Sequence, residues 1–323
     1  MAYNPASTLT TTAGLNHVGI TFYKRQGLKT ADKKFTMRKL TFDDILPLRN
    51  GKTVQWYQYS NFAANTTAAT EGDIGTGLAL QSSVQTATVS QYADFVSLSD
   101  LLVDVALDDI VPEAARRIGY RGGLSIDTIT RNAIDAGAGD IAPLGETFQA
   151  VDLANLAFTL EGNDFDRPNG GAYFPVIAHP FVLFDLLMDP QAGGYQDLTK
   201  HFNSSEGTRQ FTNDTLLQGR IHNCEVWAST NVTTVTGPPT KYRVYTAADE
   251  AVGAVALSGR GPNNVVNPKT EAFNVNVVRN DGNQIADPER KIAAAVSYNV
   301  KYVAKVLNAT RLKKIDVAST IAA

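Results

Sequence analysis

Cysteine is almost missing from this sequence: Cys224 stands alone, so no disulfide can close within the chain. Histidine is as thin. His17, His179, His201 and His222 are scattered, without the His-x-x-x-His or Cys-x-x-Cys spacings of a metal centre, and neither a metal nor a cofactor is expected. No window approaches the ~18 consecutive apolar residues that suggest a membrane span, and no membrane partner is expected. An excess of positive charge is absent too: 29 Lys+Arg against 32 Asp+Glu leave a net charge of -3, not the basic balance that drives non-specific nucleic-acid binding. The start has neither the basic residues nor the apolar run of a signal peptide. A cytoplasmic chain is therefore expected, in which the Asn-X-Ser/Thr triplets at Asn65, Asn203, Asn213, Asn231 and Asn308 carry no sugar.

What is present is globular. Hydrophobic residues make up 43% and charged residues 19% of 323 positions, enough for two core units in one chain. The stretch from Gly51 to Ala136 organises the rest. Thr53 to Phe62, with Val54, Trp56, Tyr57 and Tyr59, predicts an outgoing strand, and Ser83 to Tyr92, with Val84, Thr86 and Thr88, a returning one. Between them, Ala63 to Gly77 offers only small and polar residues around Glu71-Gly72-Asp73. Two strands without a core are marginal in water and expose unpaired edges, so such a ribbon is expected to rest on another subunit.

A helix follows. Ser97 three residues ahead of Asp100 has capping-box spacing, and a second start comes at Asp108-Asp109 ahead of Pro112. Ile110, Ala114 and Ile118, then Ile126, Ile129 and Ala133, recur at helical spacing. Gly119, Gly122 and Gly123 oppose it, each costing roughly 1 kcal/mol relative to Ala inside a helix.

Upstream, residues 1–50 read as an extended arm in which Lys24, Arg25, Lys29, Lys33, Lys34, Arg38 and Lys39 face only Asp32 as a nearby acid. Such an arm either touches nucleic acid on an inner surface or is solvated or paired with a neighbouring subunit. Downstream, Leu153, Leu156, Ala157 and Leu160 predict a short helix, Tyr173 to Ala178 a buried strand, Phe181 to Met188 a second helix, and Ile221 to Ser229 and Tyr242 to Tyr245 further strands. Loops rich in Gly, Asn and Pro divide them. Phe273, Val275 and Val277 alternate, as do Ile292, Ala294, Val296, Tyr298, Val300 and Tyr302 beyond an Asp281-Gly282 turn, which predicts a long antiparallel sheet beside the long helix.

In order and spacing the chain resembles the major capsid proteins of tailed bacteriophages, the Hong Kong ninety-seven (HK-ninety-seven) fold. The residues that carry this are Leu46-Pro47, Gly51-Lys52-Thr53-Val54-Gln55-Trp56, Glu71-Gly72, Val96-Ser97-Leu98-Ser99-Asp100-Leu101-Leu102, Asp287-Pro288 and Leu307-Asn308. The type it resembles most is that of N-four-like podoviruses. The resemblance implies an α+β fold with an N-terminal arm (1–50), an extended loop or E-loop (51–97), a peripheral P-domain begun by a spine helix (98–150), an axial A-domain (151–265) and return strands of the P-domain (266–323).

It also implies hexamers and pentamers of an icosahedral virion capsid enclosing double-stranded DNA without sequence specificity. Assembly in a host cytoplasm is implied, with a separate scaffolding protein because the arm is short, with a portal, and with or without a decoration protein. Lys52 sits at the hairpin base, so the covalent crosslinks of some family members are not expected.

The subunit-contact candidates are Trp56, Tyr57, Tyr59, Glu71 and Tyr92; Lys29, Lys33, Lys34, Arg38 and Lys39 are candidates for an inner-surface or intersubunit basic arm. For Trp56 an intrachain position is equally open, and Phe95 is expected to pack within its own chain. One alternative is a tail or decoration subunit, which the helical region from Leu98 disfavours. Another is an enzyme. Its candidate sites are His222 with Cys224, two apart and so on one side of a strand, and the loop carboxylates Asp164 and Asp166. For both, and for His179 before Pro180, the incidental reading is favoured, and no catalytic site is expected.

Overall fold

The computed structural model describes residues 35–46, 51–68, 72, 77–106, 110–189, 217–257, 273–278 and 293–321. In chain order a 3-10 turn at Met37–Leu40 leads to β1 (Phe42–Leu46), β2 (Thr53–Tyr59), β3 (Ser82–Thr88) and β4 (Ser90–Ser99). Helices α1 (Asp100–Val105) and α2 (Ile110–Gly137) come next, then β5 (Gly139–Asp140), α3 (Ala150–Glu161), β6 (Phe174–Ala178) and α4 (Pro180–Met188). The remaining strands are β7 (Leu217–Ile221), β8 (Cys224–Ala228), β9 (Thr234–Val235), β10 (Lys241–Ala247), β11 (Val252–Leu257), β12 (Phe273–Val278), β13 (Ala293–Val306) and β14 (Leu312–Ala318).

The long helix and the long strand define the first layer pair. Strand β13 carries 14 residues. One of its edges is lined by antiparallel β4, the other by β12 and then β11, and β1 extends the sheet by pairing parallel with β11. Alternate residues Val296, Tyr298, Val300 and Tyr302 turn to α2 and meet Val111, Ala114, Ala115, Ile118 and Ile126 in one buried cluster, as the period-two and period-3.6 patterns require. The tyrosine hydroxyls are not stranded: that of Tyr302 lies 2.9 Å from the Thr130 hydroxyl.

Helix α2 is one element of 28 residues, ~42 Å long at 1.5 Å per residue. It starts at Ile110 with Pro112 in its first turn, where the missing N–H costs nothing. As the apolar spacing predicts and against their low propensity, it passes through Gly119, Gly122 and Gly123 unbroken. All three are buried, so tertiary packing offsets their low propensity.

The second sheet runs β5-β14-β10-β6-β8-β7. Its core joins Leu153, Leu156, Ala157 and Leu160 of α3 to Val176 and Ile177 of β6, Val244 of β10, and Ile315 and Val317 of β14. Met37, Leu40 and, from the end of α2, Ile134 belong to the same cluster. Helix α2 therefore serves both cores. The pairings cut across the sequence-based boundaries: β1, inside the expected arm, and β11, inside the expected axial unit, join the first sheet, while β14 at the far end of the chain joins the second.

Two carboxylates lock α2 in place. Asp135 accepts hydrogen bonds from the Tyr245 hydroxyl at 2.7 Å and from the Thr233 hydroxyl, and pairs with Arg243 at 3.2 Å; Arg243 also reaches Asp316 of β14. Asp127 is 1% exposed and accepts from the Met37 amide at 2.7 Å and from Asn231 at 2.8 Å. Burial raises its pKa from 3.8 to about 6, against those hydrogen bonds and nearby Arg131, which lower it. The folded chain thus holds this proton more tightly than the unfolded chain. That contribution to stability is complete below the unfolded value of 3.8 and is lost as pH rises through about 6. Asp127→Asn is expected to remove a stability loss of order 3 kcal/mol over that window, visible as a flatter urea-midpoint profile against pH than that of the parent.

Candidate intersubunit surface

Strands β2 and β3 pair only with each other among the described residues, in an unbroken antiparallel register from Thr53 opposite Thr88 to Tyr59 opposite Ser82. Directly opposed residues share a face, so the register sorts the ribbon into two. Val54 opposite Ala87 and Trp56 opposite Gln85 form the more covered face. Tyr57 opposite Val84, with Tyr59 and Gln55, forms the open one: Tyr57 and Tyr59 are 59% and 64% exposed.

The covered face shows how the ribbon is seated. A Cβ placed on Gly253 of β11 would come within 2.9 Å of the Trp56 ring and 3.2 Å of Leu307. Its neighbour Ala254 belongs to the cluster against α2, so alternation puts Trp56 on the opposite face of the first sheet. The sheet is clamped between α2 and the ribbon base. Of the two positions open to Trp56, the structure shows the one within its own chain. Gly253→Val is expected to expel the indole and tilt the ribbon without unfolding the subunit, read as red-shifted tryptophan emission with unchanged far-ultraviolet circular dichroism.

Other candidate residues divide. Tyr92 lies on β4, not on the returning arm of the ribbon, where it pairs with Val300 and packs half-buried against the α2 cluster. Phe95, expected to pack within the chain, is 66% exposed. It sits on the face of β4 opposite Leu98, which is buried against α2. Arg38 pairs with Asp43 and lies over Phe35, and the Lys39 ammonium sits 4.4 Å from the centre of the Trp227 ring, so both make contacts within the chain. Glu71, Lys29, Lys33 and Lys34 lie outside the described residues. Neither Val84, which shares the open face with Tyr57, nor exposed Phe95 is among the sequence candidates for subunit contact.

The enzyme candidates separate. His222 and Asn223 form a tight turn with φ of 47° and 62° between β7 and β8, so His222 is not two residues from Cys224 along a strand. Cys224 is fully buried, its thiol 3.7 Å from the Leu153 carbonyl, and burial pushes its pKa up to about 12. Such a thiol is not a nucleophile at neutral pH, and a maleimide is expected to label it only after denaturant is added.

Asp164 and Asp166 line an open groove of about 620 Å³ with Glu161, Asp249 and Arg167, and the Arg167 side chain pairs with Glu161. His179 caps α4, its Nδ1 accepting from the Phe181 amide, and stacks on Tyr242 at 4.4 Å; burial lowers its pKa. The part played by His179 is that of a helix cap. Among the described residues no cluster of His, Cys, Asp and Glu suits a metal ion, and no helix is long and apolar enough to cross a membrane.

No family model and no curated protein matches the sequence. Solved structures do. The chain is similar to the capsid of Ralstonia phage GP4 with a TM-score of 0.63 at 12% identity, over 89% of this chain and 92% of that one. It is similar to the capsid of a native GTA particle, with a TM-score of 0.58 at 11% identity over 88% and 91%. The SrpI encapsulin complex from Synechococcus elongatus PCC 7942 gives a TM-score of 0.53 at 13% identity over 91% and 90%. At such identities the likeness is one of fold, the α+β HK-ninety-seven-like shell fold, and it spans nearly the whole chain.

Proposed function

We propose that a chain of this fold is here the major capsid protein of a tailed bacteriophage, of the N-four-like podovirus type, forming hexamers and pentamers of an icosahedral head around double-stranded DNA. The observation that carries the proposal is the ribbon of β2 and β3. It has no sheet partner of its own among the described residues, is seated at its base by Trp56, and turns Tyr57, Tyr59 and Val84 outward. A surface of that kind suits large, repeated contacts between identical chains, and aromatic side chains are what such contacts bury.

In this reading the ribbon is the E-loop, α2 the spine of the P-domain, and the second sheet the axial unit that meets its copies around the capsomer axis. A separate scaffolding protein and a portal complete the assembly in the host cytoplasm, with decoration protein optional. The role is mechanical, without a catalytic site. Electron microscopy of the purified protein, with light scattering over a concentration series, tests it. Closed shells or ring-shaped capsomers are expected. Tubes of one diameter would favour a tail subunit instead, and a compact monomer at every concentration, with or without a crowding agent, would overturn the shell reading.

A further inference from the structure

One edge of the ribbon offers main-chain hydrogen bonds that no described element takes up. The Ser60 amide donates to the Gln81 carbonyl at 3.1 Å and the Val89 amide to the Lys52 carbonyl at 2.8 Å, and these pairs continue the β2–β3 register by one residue at either end. Bonded and non-bonded pairs alternate along an antiparallel ladder. Val54, Trp56 and Gln58 therefore bond to β3, and the N–H and C=O groups of Thr53, Gln55, Tyr57 and Tyr59 point the other way. Strand β3 is the one that lies against β13, which makes the edge of β2 the outer edge of the ribbon.

Exposed strand edges are ordinarily blunted by charge, proline or a bulge. The large sheets show such devices: β1 carries Asp43 and Asp44, the Asp94 carboxylate on β4 takes the Phe95 amide, and β7 shifts register between Leu217 and Gly219. The ribbon has none of them. No charged residue stands between Lys52 and Glu71 or between Asp73 and Asp94, and no proline between Gly51 and Asp100. Its register is unbroken, and β2, Thr-Val-Gln-Trp-Tyr-Gln-Tyr, is rich in strand formers.

We propose that β2 is extended through its main chain by β2 of a second copy running antiparallel to it, so that two ribbons form one sheet in the order β3-β2-β2-β3. Two strands are marginal where three or more are stable, and two uncharged strands meet without like charges opposed. Two-fold pairing needs no second surface, because the edge is its own complement. Opposed residues share a face, so Tyr57 and Tyr59 of both copies line the face away from the Trp56 seats. Both subunit bodies then lie on the same side of the joined sheet, as neighbours in a curved wall must. Such pairing rests on the ribbon being a contact between copies and adds the partner strand and its direction.

The test is a scan of single cysteines from Thr53 to Tyr59 in the full chain, mildly oxidised at a concentration where copies associate. Cys224 is fully buried and does not compete. Antiparallel pairing about a two-fold axis brings one position opposite itself, so copy-to-copy disulfides are expected to peak at a single position. Mixtures of two variants should crosslink best when their numbers sum to twice that position. Gln55→Pro removes an outward N–H and keeps the ladder to β3, whereas Gln55→Val keeps both. The proline variant is expected to associate about tenfold more weakly or worse by light scattering, since each pair loses two hydrogen bonds, and the valine variant like the parent. Disulfides at every position would mean parallel strands, and disulfides at 55, 57 and 59 alike would mean that faces meet instead of edges. Either result, associated copies that never crosslink through β2, or equal association of the proline and valine variants would overturn the pairing and leave the shell reading standing. A compact monomer at every concentration would overturn both.

Discussion

A subunit in which residues 58–88 are replaced by a short Gly-Ser linker is expected to fold, to stay soluble and to form no closed shells. The physical reason is the isolation of the ribbon. Strands β2 and β3 hydrogen-bond only to each other among the described residues, so removing them leaves no orphaned donor in either large sheet. Strand β4 begins at Ser90 and keeps its full pairing with β13. Thermal unfolding should shift little, because the Trp56 contact with Gly253 lies outside the deleted stretch. Assembly should fail completely, because the outward aromatic face is gone. A milder version, Tyr57→Ser with Tyr59→Ser and Val84→Ser, should also prevent closure while keeping the ribbon. Closed shells of normal diameter from the linker variant would show that the ribbon is dispensable and that the subunits meet elsewhere.

The second large effect concerns the subunit itself. Asp135→Ala is expected to lower the unfolding free energy by about 3 kcal/mol, since removing one partner of a partly buried charge pair strands the other. Here it strands the Tyr245 and Thr233 hydroxyls and leaves the Arg243 guanidinium with Asp316 alone. Tyr245 is fully buried, and water cannot easily replace its acceptor. Asp316→Ala is the control. Asp316 shares Arg243 but is more exposed, and its loss should cost about 1 kcal/mol. Chemical denaturation of the two variants side by side decides the matter. Equal effects would mean that Asp135 does not bind the end of α2 to the second sheet.

Local pattern served well where one element decides its own structure. The alternation from Val296 to Tyr302 produced β13, the spacing of Leu153 to Leu160 produced α3, and the strand formers around Trp56 produced β2. It failed where a distant partner intervenes. Ser97 has capping-box spacing, yet it is a strand residue paired with Ala295, and the helix cap falls at Ser99; the ladder to β13 overrides the local signal. His222 was placed on a strand because nothing nearby in the sequence announces a left-handed turn, which an Asn at 223 only permits.

The candidate surface was legible in composition and not in orientation. The aromatics of the ribbon stood out in the sequence, but which of them face inward depends on Gly253, nearly two hundred residues away. Phe95 gave no signal for its exposure, because its exposure reflects what does not pack against it.

The order of the strands also sets a timetable. Strand β13 is interior to the first sheet and β14 to the second, and both are translated after everything they pair with. The first sheet cannot close until residue 306 has been made, nor the second until residue 318, with synthesis proceeding at about 5–20 residues per second. The ribbon, by contrast, needs only residues 53–88 for its own ladder. On a polysome, where identical nascent chains crowd together, the first sheet, on which Trp56 seats the ribbon, is incomplete until β13 has been added. The chain order thereby places the ribbon's own ladder early and its seat late, a timetable written into connectivity instead of into any single contact.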